Sequence, residues 1–346
     1  MKTVDLRSDT VTRPTPEMYK AIAEAELGDD VLGDDPTVHR LQDLAAEMTG
    51  KEAGLYLPSG SMSNQAAIAT WMGDGQTLLA DEDSHCLFYE GGAPATVARA
   101  MVRSVPSSSG IIDPLKISSR ILAQSEHTPG TTLLVVENTH NRGGGSVTPV
   151  ETMAAIRSEA TRLGMSIHLD GARVFNAAAA LRVPVSKITE HVDSVNFCLS
   201  KGLCAPVGSM LCGPADFIRE ARLWRKRLGG GMRQAGLLAA CGIVALRQMT
   251  DRLVEDHARA KRLAEAVRGL PGVESNDPES NIVVLRVEAT SAEWIEALGR
   301  HGVRCLPFGP NSVRLVTHHD VDDEGIDRAC EALCAVAHGG RAGLQG

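Results

Sequence analysis

The stretch MSIHLDGAR, residues 165–173, is a short apolar strand that ends on an acidic residue, Asp170. A second stretch, VDSVNFCLSK at residues 192–201, repeats this pattern and ends on Lys201. A third, TLLVVE at residues 132–137, is apolar almost throughout, as in the strands of a parallel sheet that is covered on both faces. Helical patterns alternate with these strands, so we predict right-handed crossovers and a mostly parallel sheet.

The same alternation extends in both directions from this centre. Further strands are predicted at 54–58, 77–80 and 208–213, and helices at 14–27, 35–49, 59–72 and 150–164. A long helical region at 234–268 leads to a second block, with elements predicted at 281–287, 291–301, 312–317 and 323–337. We therefore expect a large α/β domain at 16–250, a smaller α+β domain at 251–338 and a disordered tail at 339–346.

Length and charge exclude several classes of protein. The chain has 346 residues, which suggests about two domains, and its net charge of −8 argues against a nucleic-acid-binding surface. No apolar run approaches the ~20 residues of a membrane span, and the start MKTVD lacks the apolar stretch of a secretory signal. The eight cysteines form no CxxC pair and are predicted to be reduced thiols, which indicates a cytoplasmic protein.

Polar residues at strand ends are the candidates for a site, because open α/β sheets bind ligands outside the carboxyl ends of their strands. The turn SGS at 59–61 follows a strand and opens a helix, whose free N–H groups and partial positive charge suit a phosphate. It matches neither the P-loop nor the GxGxxG pattern, and a plain turn with a serine cap is the alternative. His85 also lies just after a predicted strand.

Two further strand ends carry reactive residue types. Asp170 could be a metal ligand, the partner of a buried cation or a helix cap, and His168 lies on the same side of the strand, so a pair of the two stays open. Small and apolar residues at 202–208 follow Lys201 and would desolvate its amine, which suits Schiff-base chemistry. Ser200 beside it could donate to a phosphate.

The sequence presents the phosphate turn, then Asp170, and then Lys201, which lies 31 residues after Asp170. This order resembles that of the fold type I pyridoxal-phosphate enzymes. Six further blocks are DLRSDTVTRP at 5–14, ENTHN at 137–141, HLDGAR at 168–173, LSKGL at 199–203, GGGMRQ at 229–234 and VRLVTH at 313–318. They resemble the L-type, low-specificity threonine aldolases, and they fall in that family's order over nearly the whole chain.

This resemblance implies a fold type I transferase-like α/β fold, with a mostly parallel seven-stranded sheet in the large domain and a smaller C-terminal α+β domain. It implies pyridoxal 5'-phosphate as the cofactor and retro-aldol cleavage of a β-hydroxy-α-amino acid, L-threonine or L-allo-threonine, to glycine and an aldehyde. It also implies a homotetramer, a dimer of dimers with shared active sites. A pyridoxal-phosphate β-eliminating lyase or transaminase is the alternative. A non-catalytic binding protein is disfavoured because Lys201 and Asp170 are both present.

The resemblance also implies which residues hold the cofactor. Lys201 carries it, Asp170 pairs with the ring nitrogen and His85 stacks on the ring face. The residues assigned to its phosphate are Gly60, Ser61, Ser200 and, across a subunit boundary, Arg233.

For the substrate, the resemblance assigns the carboxylate to Ser8 and Arg314, with Arg173 near it and near the ring oxygen. The segment 1–15, which holds Ser8, is expected to pack at the active site. His127 aligns with a family histidine near the substrate hydroxyl, so His85 and His127 both stay open as the base. No metal ligand is predicted.

Other polar residues are assigned structural roles. His140 and His168 adjoin the motifs and are expected to be supporting or core groups. The basic run RLWRKR at 222–227 is predicted to be a solvated helix face, and the alternative is a subunit interface that reaches a neighbour's phosphate.

Overall fold

The computed structural model of the chain describes residues 3–339. The strands are β1 Val4–Asp5, β2 Ala53–Leu57, β3 Thr77–Asp81, β4 Met101–Val105, β5 Ser107–Ser108, β6 Ile111–Ile112, β7 Thr131–Glu137, β8 Ser166–Asp170, β9 Ser194–Cys198, β10 Ser209–Gly213, β11 Val273–Ser275, β12 Ile282–Val287, β13 Val303–Arg304, β14 Leu306–Gly309 and β15 Ser312–Val316.

The α-helices are α1 Pro16–Ala23, α2 Pro36–Thr49, α3 Gly60–Trp71, α4 His85–Phe88, α5 Ala93–Thr96, α6 Pro114–Ile117, α7 Val150–Arg162, α8 Val174–Leu181, α9 Ser186–Thr189, α10 Ala215–Arg227, α11 Gly236–Val244, α12 Leu253–Ala266, α13 Ser291–Arg300 and α14 Asp323–Gly339. Short 3-10 helices lie at Asp9–Val11 and Ser118–Arg120, and a π-helix lies at Ala245–Met249. Within residues 3–339, no helix has the length and apolar character needed to cross a membrane. The tail predicted at 339–346 lies outside the described residues except for Gly339, which ends α14.

Seven strands form the central sheet, in the order β2-β10-β9-β8-β7-β3-β4. β10 runs antiparallel to both of its neighbours, and the other neighbouring pairs are parallel. This mostly parallel, seven-stranded sheet confirms the predicted fold class. Glu137 pairs with Asp170, and Asp170 pairs with Asn196. Because these strands are parallel, the residues that follow them lie at one edge of the sheet.

The apolar strands of this sheet are covered on both faces. All five residues of β3, β9 and β10 are buried, and successive side chains of a strand point to opposite faces. α3 packs against β8, β9 and β10, and its Ala66 and Ala67 allow a close approach. Ser59 caps α3 by accepting a hydrogen bond from the Met62 N–H at 3.2 Å. Since β2 and β9 run in the same direction, the N-terminus of α3 lies at the edge that holds Asp170.

A second, antiparallel sheet lies in the C-terminal part of the chain, in the order β11-β12-β15-β14. α12 and α13 pack against it, and α14 packs on both of these helices. The N-terminal segment joins this core, because Val4 pairs in parallel with Val303 and Leu6 is fully buried in the same apolar cluster. The two sheets support a division of the chain near residue 250, which stays a prediction.

The long helical region expected at 234–268 is not continuous. α11 ends at Val244, a π-helix and a short turn follow, and α12 begins at Leu253. The interruption has a packing reason, because α11 contacts α1 and α2 whereas α12 contacts α8 and α14. The break redirects the chain from the large sheet to the small one.

The basic run at 222–227 was expected to face solvent, but one of its arginines is buried. Arg225 is 2% exposed, because α10 packs against α3 and β2. Its Nη2 lies 2.7 Å from Asp30 Oδ2, and its Nη1 donates to the backbone oxygen of Tyr56 at 2.7 Å. The prediction of a solvated side chain is therefore wrong for Arg225, which ties the loop around Asp30 to the end of β2 beside the phosphate turn.

Replacing Arg225 by alanine should destabilise the protein strongly, since it leaves the buried Asp30 carboxylate with only the more distant guanidinium of Arg222, at 3.7 Å. Loss of one partner of a buried ion pair costs about 3–5 kcal/mol in the free energy of unfolding. Urea unfolding followed by circular dichroism measures this change. Arg219→Ala is the matched control, because Arg219 lies on the same helix in an exposed pair with Asp216. Equal effects of the two substitutions would contradict the prediction.

Candidate active site

Asp170 is the central residue of the candidate site. It ends β8 and is 2% exposed, and its Oδ2 accepts a hydrogen bond from Asn64 Nδ2 at 2.7 Å. The backbone N–H of Ala172 donates to its Oδ1 at 3.2 Å. Burial acts to raise the pKa of this carboxyl, but the charges of His85 and Lys201 and the Asn64 hydrogen bond hold the pKa below its usual value. Asp170 is therefore ionised.

Lys201 follows β9 at the same edge of the sheet. Burial raises the pKa of Asp170 and of Asp9, and the charge of Lys201 is among the causes that bring both values below the usual range. The amine thus interacts with two buried carboxylates. Thr12 Oγ1 donates to the backbone oxygen of Lys201 at 2.8 Å, which attaches the N-terminal segment to this turn.

His85 begins α4, and its backbone N–H donates to Glu137 Oε2 at 2.7 Å. Its Nδ1 lies 2.9 Å from Glu90 Oε1. Burial acts to lower the pKa of the imidazole, but the hydrogen bond with Glu90 and the charge of Asp170 raise the pKa above its ordinary value. One hydrogen bond at the backbone and one at the ring thus fix the position of His85 at the strand-end edge.

Glu90 was not predicted from the sequence. Its side chain is 1% exposed, and its oxygens accept hydrogen bonds from Asn64 Nδ2, at 2.8 Å, and from Gln65 Nε2. With His85 it forms a buried carboxylate–imidazole pair. The available signal was an acidic residue five positions after a candidate histidine in the segment HCLFYE, residues 85–90.

Asp9 is a second buried carboxylate that the sequence did not single out. Arg173 donates to it twice, from Nε to Oδ2 and from Nη2 to Oδ1, both at 2.7 Å. Burial raises the pKa of Asp9, but the charge and hydrogen bonds of Arg173 bring it well below the usual value. The N-terminal segment therefore reaches the edge of the central sheet through an ion pair that is buried on both sides.

Arg314 lies on β15 with Val313 and Leu315 buried on the other face, as the alternation predicted. Its Nη1 donates to Asn141 Oδ1 at 2.9 Å, and among residues 3–339 its buried Nε has no acceptor. Burial and the charge of Arg173 lower the pKa of the guanidinium. The buried Nε thus has a hydrogen available for an acceptor, and a substrate carboxylate would supply two acceptor oxygens.

Ser8 is buried beside Asp9, the carboxylate that binds Arg173. Its Oγ accepts the Thr10 N–H at 3.2 Å and caps the 3-10 helix, and it lies 3.5 Å from Asp9 Oδ1. The segment thus places a hydroxyl next to the Asp9–Arg173 pair, and its role at the active site stays a prediction.

The phosphate turn leaves no room for a side chain at Gly60. A Cβ placed there would lie 2.8 Å from Cys198 Sγ, which is closer than such contacts occur. Gly60 and Ser61 form the first turn of α3, where backbone N–H groups have no partner within the helix. Ser61 is exposed and Ser200 is half-buried, so both hydroxyls are accessible from the site.

These residues fit pyridoxal phosphate. A buried carboxylate suits the protonated ring nitrogen, the Lys201 amine suits the aldehyde carbon and the glycine turn at a helix N-terminus suits the phosphate. The site could also hold a metal ion, because the donor atoms of His85, Glu90 and Asp170 lie within 4.8 Å of one another. The Asn64 amide donates to both carboxylates without any cation. The absence of a metal stays a prediction.

Two predicted site residues, His127 and Arg233, lie apart from the other predicted site residues within this chain. His127 is exposed in the loop before β7, and its backbone N–H donates to Ser125 Oγ at 3.1 Å. Arg233 is 62% exposed in its side chain and pairs with Asp29 at 3.0 Å. Neither contacts another predicted site residue through a hydrogen bond or ion pair in the described part of the chain, so both roles stay predictions.

His140 has a supporting place beneath the site. Its Nε2 lies 3.1 Å from Asp81 Oδ1 and 3.7 Å from Glu137 Oε2, and Gly143 donates to its Nδ1. Burial lowers its pKa, but the hydrogen bond with Asp81 and the charge of Glu137 raise the pKa above the usual value. It therefore anchors the carboxylate that holds the backbone of His85.

Comparison with known proteins agrees with this geometry. The sequence model of the β-eliminating lyases matches residues 5–290. The low specificity L-threonine aldolase of Escherichia coli is 41% identical, over 93% of this chain and 96% of that protein. The probable low-specificity L-threonine aldolase 2 of Arabidopsis thaliana is 38% identical, over 98% of each. The Leishmania major threonine aldolase structure has a TM-score of 0.84 at 18% identity, covering 96% of this chain and 99% of that one, and shares the fold. The chain belongs to the β-eliminating lyase family, in the group of the low-specificity L-threonine aldolases.

Proposed function

We propose that the protein is a pyridoxal-phosphate-dependent aldehyde-lyase that cleaves L-threonine and related β-hydroxy-α-amino acids to glycine and an aldehyde. The observation that carries this proposal is the buried Nε of Arg314, which has no acceptor among residues 3–339, on a guanidinium close enough to interact with the Asp9–Arg173 pair at the edge that holds Asp170 and Lys201. An amino acid bound by its carboxylate at Arg314 would place its Cα beside the cofactor. The names of the relatives support the reaction.

The cofactor is held by residues at the strand ends. Lys201 would attach it through its amine, the Asp170 carboxylate would keep a proton on the ring nitrogen and His85 would contact the ring. The phosphate is bound by the residues of the turn and the neighbouring loop: Gly60, Ser61 and Ser200. Pyridoxal phosphate, when bound, supplies the electron sink for the electron pair left at Cα as the Cα–Cβ bond breaks.

The substrate is oriented through its carboxylate. The planar fork of Arg314 offers two parallel N–H donors, and Ser8 adds a hydroxyl from the N-terminal segment. Arg173 adds positive charge while its own fork stays engaged with Asp9. Fixing both the carboxylate and the amine leaves the Cα–Cβ bond in one orientation, which is the condition for breaking that bond rather than another.

His85 is the proposed base for the β-hydroxyl proton. Nδ1 of His85 lies 2.9 Å from Glu90 Oε1, so the neutral ring that donates this hydrogen to the carboxylate has its free lone pair on Nε2. The raised pKa makes this nitrogen a stronger base than an unperturbed imidazole. His127 stays the second candidate, through a neighbouring subunit, because it is exposed in the chain described here.

Assembly and location complete the proposal. Arg233 and Ser61 are both exposed, so an arginine of one subunit and the phosphate turn of another are available to meet in a homotetramer with shared active sites. A location in the cytoplasm is supported by the cysteines, which are all free and mostly buried.

The reaction is tested by incubating the purified protein with L-threonine and, separately, with L-allo-threonine. We expect glycine and acetaldehyde in equal amounts, measured by chromatography and by an aldehyde-linked assay. Release of pyruvate and ammonia, or of a keto acid without aldehyde, would instead assign the β-eliminating or transaminase reaction.

Lys201→Ala should abolish covalent attachment of the cofactor, because among residues 3–339 no other lysine closely follows a strand of the central sheet. We expect the visible absorption of the bound cofactor to be lost, together with the mass increase left after borohydride reduction. Lys226→Ala, on α10, is the control. A variant at residue 201 that keeps this mass increase and near-normal turnover would remove Lys201 from its assigned role.

Asp170→Asn keeps the shape of the side chain but removes the charge that holds a proton on the ring nitrogen. Loss of one partner of a buried pair costs about 3–5 kcal/mol, so cofactor affinity should fall at least about 100-fold. Turnover should fall by orders of magnitude as well. Equilibrium dialysis of the cofactor measures the first effect, and an unchanged dissociation constant would leave Asp170 as a simple helix cap.

Arg314→Lys should weaken threonine binding while pyridoxal phosphate stays bound. A lysine ammonium cannot reproduce the two parallel hydrogen bonds of the guanidinium to a carboxylate. We expect the Michaelis constant for threonine to rise about tenfold or more, as for the loss of a charge-assisted hydrogen bond. Steady-state kinetics and the cofactor absorption spectrum check this. Wild-type kinetics would leave the carboxylate without its proposed anchor.

A further inference from the structure

A chain of buried polar side chains lies behind Asp170, and the roles assigned above do not use it. Trp71 Nε1 donates to Ser194 Oγ at 2.8 Å, Ser194 Oγ lies 2.9 Å from His168 Nδ1, and His168 Nε2 lies 3.2 Å from Asn64 Oδ1. Ser194, His168 and Asn64 are each at most 2% exposed. This chain of hydrogen bonds ends at Asp170.

The groups at the outer end of this chain of hydrogen bonds are compatible with one direction of hydrogen bonding. An indole N–H can only donate, so the Ser194 hydroxyl accepts from Trp71 and has its own hydrogen for His168 Nδ1. A neutral imidazole that accepts at Nδ1 carries its hydrogen on Nε2 and donates it to the Asn64 oxygen. Burial lowers the pKa of His168 to about 4, against the charge of Asp170, so the ring is neutral near pH 7.

The hydrogen bonds at the inner end, where Asn64 meets Asp170, require the same direction of donation. Asn64 Nδ2 lies 2.7 Å from Asp170 Oδ2 and 2.8 Å from Glu90 Oε1. A carboxylate only accepts, so the amide must present its two hydrogens, one to each side chain. A flipped amide would place its oxygen against both carboxylates. The two ends of the chain therefore agree on one orientation of Asn64.

Asn64 thus bridges two groups with different tasks. Asp170 is the proposed partner of the cofactor ring nitrogen, and Glu90 is the proposed partner of the base His85. Two buried carboxylates this close raise each other's pKa, unless donors or cations compensate. One neutral amide satisfies both without adding charge.

We propose that Asn64, oriented by His168, is a positioning residue that holds Asp170 and Glu90 as hydrogen-bond acceptors at the same time. The inference rests on the proposed function, since it concerns the cofactor nitrogen and the substrate hydroxyl of that reaction. A single side chain thus positions both Asp170, the partner of the cofactor nitrogen, and Glu90, the partner of the base. In this role Asn64 contacts neither the substrate nor the cofactor.

Asn64→Asp tests the proposal, because it keeps the size of the side chain and removes both hydrogens. We expect the dissociation constant of pyridoxal phosphate, measured by equilibrium dialysis, to rise about tenfold or more, as for loss of a hydrogen bond to a charged group. Asn311→Asp makes the same chemical change in an exposed turn, where the amide donates to the Ala289 oxygen, and serves as the control.

The pH–rate profile gives a second readout. The charged groups that face His85 are Glu90, Asp170 and Lys201, with Glu137 at its backbone. In Asn64→Asp the carboxylates lose their donor and gain a like charge, so they take up protons at higher pH. The acid limb of the kcat profile should therefore move to higher pH, while the Asn311→Asp profile should match wild type.

Two variants of His168 separate positioning from packing. His168→Gln keeps a donor for the Asn64 oxygen and an acceptor for Ser194, whereas His168→Leu removes both. We expect His168→Gln to stay within about threefold of wild-type cofactor affinity and His168→Leu to lose about tenfold or more, as for one unmade buried hydrogen bond. Thermal unfolding of each variant is measured alongside.

Wild-type affinity and pH profile in Asn64→Asp would overturn the proposal, as would equal losses in His168→Gln and His168→Leu. If Asn64→Asp does not fold, the comparison of the two His168 variants decides alone. Failure of the proposed function is distinguishable, since it appears as a wild-type protein that releases no glycine from threonine. Cofactor affinity would still report on Asn64 in that case.

Discussion

An ionised carboxylate at the depth of Asp170 persists only where the surrounding groups replace the water that it has lost. Four elements meet this requirement: the turn after β8 through its backbone, α3 through Asn64, α4 through His85 and the loop after β9 through Lys201. Each of these elements is placed by the order of strands in the central sheet. The site is therefore arranged around one negative charge, and the sheet supplies its position.

The sequence was sufficient to place residues whose position depends on local pattern. The positions of Asp170 and Lys201 could be predicted because an apolar strand ends at or shortly before each, and that of Arg314 because alternation on a strand separates it from Val313 and Leu315. The class of fold could be predicted for the same reason, since continuous apolar strands alternating with helices leave few other arrangements.

Residues defined by a distant partner could not be predicted in this way. Asp9 pairs with a residue 164 positions away, and Asn64 bridges residues 26 and 106 positions away. No local pattern encodes such pairs. Arg225 was assigned to solvent because its neighbours are charged, yet its buried partner lies in a different part of the chain. The edge strand β4 was not predicted, because Met101 and Val102 are exposed and give no alternation.

The N-terminal segment connects both parts of the protein in the space of six residues, Val4 to Asp9. Val4 pairs with Val303, the Leu6 oxygen accepts the Val316 N–H, and Asp9 then binds Arg173 on the large sheet. The segment around residues 4–9 thus takes its place only against residues that are synthesised much later. During translation the contacts of Val4 and Leu6 cannot form until the residues around 303 and 316 have left the ribosome.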